Sequence, residues 1–142
     1  MLDYKYENTD YYTWINTVVN HAVKRYHTEV DLIAEESSYA YTFKQNKINV
    51  MGSTPPRDKL YILLHEVGHV SRMLDNSGDS TFFMDKAGEA SMKEKTMTLM
   101  EEVLAWHRGE AIARRLSIPI EPRPWQRLMN KSIDKYVKWI NE

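Results

Sequence analysis

Four stretches of the chain repeat apolar residues with a helical period, and one stretch alternates like a strand. Trp14, Ile15, Val18, Val19, Ala22 and Val23 recur at helical spacing and predict a first helix from Thr9 or Asp10, either of which can cap it, to Tyr26. Between residues 29 and 51 the period changes. Val30, Leu32 and Ala34 alternate with polar neighbours, Tyr39, Tyr41 and Phe43 do so again, and Ile48 and Val50 carry a third short run. With Ser37-Ser38 and Gln45-Asn46 at turn positions, the expected product is a three-stranded antiparallel sheet, a meander with its aromatic face on a helix layer. Gly52-Ser53-Thr54-Pro55-Pro56 ends the sheet and starts a second helix, with Ser53 or Thr54 as N-cap and proline inside the first turn.

The second helix runs to about Leu74 or Asp75. On a helical wheel Leu60, Leu63, Leu64, Val67, Val70 and Leu74 form one stripe, opposite Tyr61, His65, Glu66 and His69. A third helix is predicted from about Lys93 to Leu116, its inward stripe being Leu99, Ala105, Trp106, Gly109, Ile112, Ala113 and Leu116. Pro119, Pro122 and Pro124 make residues 117–124 a stiff connector to a last helix, Trp125 to about Asn141. Residues 75–92 read as a polar loop in which Phe82-Phe83-Met84 is either a flap over a site or a plug in a minor core.

A length of 142 residues suits one domain, with its core over 29–116 and the C-terminal helix over 125–141. Composition removes several function classes. The formal net charge of -1 points to neither nucleic acid nor membrane, and no run approaches the roughly 20 apolar residues of a membrane helix. Arg127, Lys131, Lys135 and Lys138 form a basic stripe on the last helix, without interleaved aromatics, which reads as a solvated face. Asp3, Glu7 and Asp10 near the N-terminus, without an apolar run, do not form a secretory signal, so the expected compartment is the cytoplasm. There are no cysteines, which excludes disulfides and thiolate zinc sites and leaves histidine and carboxylate as the strong metal ligands.

Those ligands are present in a specific arrangement. His65-Glu66-Val67-Gly68-His69 is an H-E-x-x-H pattern on a predicted helix. Residues four apart lie about 40° from one another and one turn along the axis, so both imidazoles reach one ion. Glu66 lies on the same side, placed to touch a water without ligating the metal. His21 and His27 have no ligand spacing around them and read as structural or exposed.

A third ligand is sought on the third helix. Glu102 sits in the middle of its apolar stripe, where an unpaired carboxylate is costly to bury and an ion would neutralise that cost. Glu101, about 100° away and near Arg108, reads as a supporting or surface residue, and His107 falls on the polar side. A buried ion pair with Arg or Lys is the alternative for Glu102. His65, His69 and Glu102 together make a His₂Glu set with one open position, which suits catalytic Zn²⁺. Glu66 is then the general base for a water attacking a carbonyl. Tyr61, one turn before His65, or a tyrosine from the loop or last helix, is the candidate donor to the carbonyl oxygen.

Leu63-Leu64-His65-Glu66-Val67-Gly68-His69, followed on a later helix by Glu102-Val103-Leu104-Ala105-Trp106, resembles gluzincin-type zinc metallopeptidases. It is most similar to the minimal intracellular ones, the ImmA/IrrE-type and small phage-encoded metallopeptidase domains. The resemblance covers roughly residues 29–116. It implies an α+β, zincin-like fold, with Glu102 of an E-x-x-A segment as third ligand. It also implies limited proteolysis of a regulatory protein, the peptide lying extended along an edge strand (residues 39–44 or 47–51) by β-augmentation. The expectation is therefore a zinc-dependent endopeptidase acting on a protein or peptide substrate. The alternative is a catalytically silent scaffold that binds a partner protein or, with less support, nucleic acid.

Overall fold

A computed structural model describes residues 5–35, 41–42 (backbone only), 45–75 and 91–142. The elements are α1 (Asn8–Tyr26), β1 (Glu29–Ala34), β2 (Tyr41–Thr42), β3 (Lys47–Met51), α2 (Pro56–Asp75), α3 (Met92–Arg115) and α4 (Pro122–Ile140). The Phe82-Phe83-Met84 segment lies outside the described residues.

The α+β expectation with a three-stranded antiparallel meander is overturned: the chain is mostly helical. Its sheet consists mainly of one parallel pair, β1 with β3, in which Val30 faces Ile48 and Asp31 faces Asn49. β2 adds a two-residue antiparallel segment on the far side of β3, giving the order β1-β3-β2. Alternation assigns side chains to faces but does not choose neighbours. Burial does: Ile48 and Val50 of β3 are enclosed, whereas β1 takes an edge and leaves Ile33 82% exposed. Residues 35–46 are long enough for the crossover that a parallel pair requires. β3, one of two strands expected to receive an extended peptide, is therefore central and already paired on both sides.

Helix ends follow local chemistry. Glu7, not Thr9 or Asp10, is the N-cap of α1, and Asp10 returns a bond to the Glu7 backbone N–H at 3.1 Å. His27 closes α1 in the left-handed region at φ 54°. The adjoining turn is tied to it by Asn46, whose amide donates to the Tyr26 carbonyl at 2.9 Å. α3 starts at a reciprocal capping box between Ser91 and Glu94. α4 starts at Pro122 rather than Trp125, because prolines are harmless in a first turn whose N–H groups have no helical partner. Glu121 at that start accepts from the Tyr11 hydroxyl at 2.9 Å and gives its backbone N–H to the Tyr61 hydroxyl at 2.9 Å.

One hydrophobic cluster joins α1, β3, α2, α3 and α4, with α2 inside it. Every residue from Leu63 to Val70 is buried, so α2 does not have the two separated faces its wheel predicts, and Leu74 at its end is exposed. The closest approach is between α2 and α3. A Cβ on Gly68 would stand 2.2 Å from the Ala105 carbonyl oxygen, and one on Gly109 would stand 2.6 Å from that of Leu64. Both obstacles are backbone and cannot swing away. Among the described residues no helix is long and apolar enough to cross a membrane.

Gly68→Ala is expected to lower stability by about 1–3 kcal/mol, since overpacking must separate the two helices. Chemical denaturation of the purified variant measures it; an unchanged midpoint would mean that the contact is not tight.

Candidate metal centre

The same close approach brings a carboxylate from α3 onto two imidazoles from α2. Glu102 is 2% exposed, and its Oε1 lies 2.9 Å from His65 Nε2 while its Oε2 lies 2.9 Å from His69 Nε2. His65, Glu66 and His69 are each 5% exposed. The three candidate ligands are therefore together, each presenting the expected atom. Their ligand atoms all lie within 4.8 Å of one another, and the group could hold a metal ion. Each imidazole nitrogen meets a different carboxylate oxygen at hydrogen-bond distance, and an ion bound about 2.0–2.1 Å from such atoms would replace these hydrogen bonds. Among the described residues Glu102 has no Arg or Lys partner; imidazoles and the Ser132 hydroxyl stand beside it.

Supporting contacts surround this set. The Trp106 indole, one turn after Glu102, stacks on the His65 ring at 4.2 Å with an interplanar angle of 17°. Trp125 of α4 stands edge-on to Trp106 at 5.0 Å. Glu101 takes the supporting role: its Oε1 lies 3.9 Å from His69 Nδ1, and it accepts from Arg72 Nε at 2.9 and 3.1 Å. Outer carboxylates of this kind fix the orientation of a ligating imidazole. Arg108, expected beside Glu101, instead donates to Ser71 at 3.0 Å and faces Asp75. His107 is exposed and takes no part in the set.

Electrostatics divide the two carboxylates. Burial alone would raise the pKa of Glu102, but the charges and hydrogen bonds of His65 and His69 outweigh it and hold the group well below the usual carboxylate range. Burial pushes Glu66 up; His65 and His69 oppose the shift and the negative Glu102 adds to it. His69 is lowered by burial but raised on balance by its bond to Glu102 and by the nearby charges of Glu66, Glu102 and Glu101. Neutral imidazoles facing a carboxylate are the protonation states a cation selects. A bound ion would displace the protons that now join these groups.

α4 contributes Ser132, which the sequence reading missed as a site residue, and Tyr136, the tyrosine of the last helix that it offered as a candidate donor. Ser132 donates its hydroxyl to Glu102 Oε1. Tyr136, one turn on, is raised in pKa by burial, by the charges of Glu102 and Glu66, and by a hydrogen bond to Glu102. Of the candidate tyrosines, Tyr61 is turned elsewhere, towards the start of α4, with its ring 5.3 Å from Trp125. The available signal was position: Ser132 and Tyr136 continue the spacing of Trp125 and Met129 along the inner face of α4.

No family model, curated protein or solved structure matches the chain. The chemistry therefore has to be argued from the side chains themselves.

A divalent ion at about a hundred times its dissociation constant should stabilise the chain by about 2.7 kcal/mol, a rise in melting temperature of roughly 10 °C. Glu102→Ala should lose that rise. Differential scanning fluorimetry with and without added Zn²⁺ reads both, and an equal rise in the variant would remove Glu102 from the ligand set.

Proposed function

We propose that this chain is a zinc-dependent endopeptidase in which His65, His69 and Glu102 hold the ion and Glu66 is the general base. Two imidazoles, one carboxylate and no thiolate form a donor set that suits zinc. When bound there, zinc supplies Lewis acidity, polarising a carbonyl and lowering the pKa of a water. The observation that carries the reading is the position of Glu66. Its Oε1 is 3.2 Å from His65 Nε2, the nitrogen that also faces Glu102. Glu66 thus borders the ligand atoms without belonging to the group that encloses the ion.

From that position Glu66 takes the proton of the attacking water and later gives it to the leaving amine, a transfer that needs one carboxylate within hydrogen-bond reach of both. Between the candidate donors to a developing oxyanion, Tyr136 is favoured over Tyr61, because its surroundings include Glu66 and Glu102 whereas Tyr61 is engaged at the start of α4. A peptide bond is the substrate best matched to these roles, and the H-E-x-x-H resemblance favours it over other acyl compounds. The motif favours a protein substrate.

A second reading has one observation in its favour. None of His65, Glu66, His69 and Glu102 is more than 5% exposed, which also suits an ion with a structural role in a partner-binding scaffold. Glu66→Gln separates the two. In the peptidase reading it lowers cleavage of a denatured protein by about 10²–10⁴-fold, with zinc content and melting temperature retained. Equal cleavage by wild type and Glu66→Gln, measured on zinc-loaded protein, would rule out Glu66 as the base.

A further inference from the structure

Most hydroxyl side chains within the helices bond locally. Thr13, Thr17, Thr96 and Thr98 each donate to the carbonyl four residues earlier, the usual outlet for a helical hydroxyl. Ser132 does not. Its hydroxyl leaves α4 altogether and donates to Glu102 on α3, thirty residues earlier. Ser132 also occupies a place in α4 where an apolar residue would pack, between Met129 and Tyr136 on the face that carries Trp125. A polar residue on that face, aimed at a 2% exposed carboxylate, has a partner no other environment would give it.

We propose that Ser132 is a positioning residue for the metal carboxylate, so that the centre is built by three helices rather than two. The inference rests on His65, His69 and Glu102 being metal ligands. The physical case is one of valence. A carboxylate that gives one oxygen to an ion keeps further lone pairs, and at this burial no bulk water is present to satisfy them. The Ser132 hydroxyl donates to one oxygen and so fixes the rotation of the group about its last bond. Without that donor the carboxylate turns between several orientations, and holding it in the ligating one costs binding energy.

The experiment is zinc affinity of the full chain, by competition with a chromophoric chelator, for wild type, Ser132→Ala and Ser132→Thr. Ser132→Ala should bind zinc about 10–100-fold more weakly, while Ser132→Thr, which keeps the hydroxyl, should stay within about threefold of wild type. With Co²⁺ in place of Zn²⁺, the visible absorption bands should shift in Ser132→Ala and be restored in Ser132→Thr, an effect that loss of packing alone would not produce. Wild-type affinity in Ser132→Ala, with zinc bound normally by the parent, overturns the role of Ser132 and leaves the metal reading intact. No zinc binding by the parent overturns both. Should Ser132→Ala fail to fold by circular dichroism, Ser132→Val, which has the shape of Ser132→Thr but no hydroxyl, takes its place with the same two outcomes.

Discussion

The structure turns on the burial of one carboxylate between two closely packed helices. Glu102 lies in the apolar face of α3, where an unpaired negative charge would cost several kcal/mol even after relaxation. It is tolerated because two imidazoles one turn apart on α2 face its two oxygens at 2.9 Å. That meeting requires the helix axes to be close, and the residues that permit it carry no chemistry. Gly68 lies between the two histidines in sequence, and Gly109 lies two turns beyond Glu102; each accepts a carbonyl of the other helix where a methyl group would not fit. The glycine inside the H-E-x-x-H segment is thus as much a condition of the centre as the histidines.

Around that contact the chain arranges support in layers. Arg72 fixes Glu101, Glu101 faces His69, and Trp106 lies flat on His65, so each ring has a neighbour besides Glu102. α4 closes the remaining side. Its start is tied down by Glu121, through Tyr11, Tyr61 and Arg57, and its middle by Trp125 against Trp106. These anchors bring Ser132 and Tyr136 to Glu102. His65 Nδ1 is buried without a hydrogen-bond partner among the described residues, so that ring is held by Glu102 at Nε2 and by stacking on Trp106.

What could be read from the residues, and what could not, separates along the range of the interactions involved. The site was legible because helical periodicity is short-range: spacing alone puts His65 and His69 on one side of a turn, and a charge in an apolar stripe alone singles out Glu102. The course of the helices was legible for the same reason. Strand order was not, because alternation in 29–51 is equally consistent with β2 or β3 in the middle, and only the burial of Ile48 and Val50 against α2 decides between them. The start of α4 was misplaced by giving prolines weight as breakers at a position where they begin a helix. Ser91, by contrast, carried a local signal that the apolar pattern concealed, since Ser91-Met92-Lys93-Glu94 is a capping box. Ser132 carried no such signal; its meaning depends on which helix α4 packs against.

The support of the buried carboxylate comes in part from a helix that carries none of the three candidate ligands, and this ties the centre to the packing of α4. Low exposure strengthens each electrostatic contact that Glu66 and Glu102 make with the imidazoles. The outward face of this part of α4 is polar, with Lys131, Asp134, Lys135 and Lys138 all exposed, so the segment is held by its inner stripe and by the Lys95 ammonium, which donates to the Trp139 carbonyl at 3.3 Å. Ser132 lies on that stripe, so the hydroxyl that reaches Glu102 is placed by the packing of α4 on its neighbours rather than by the residues on either side of it.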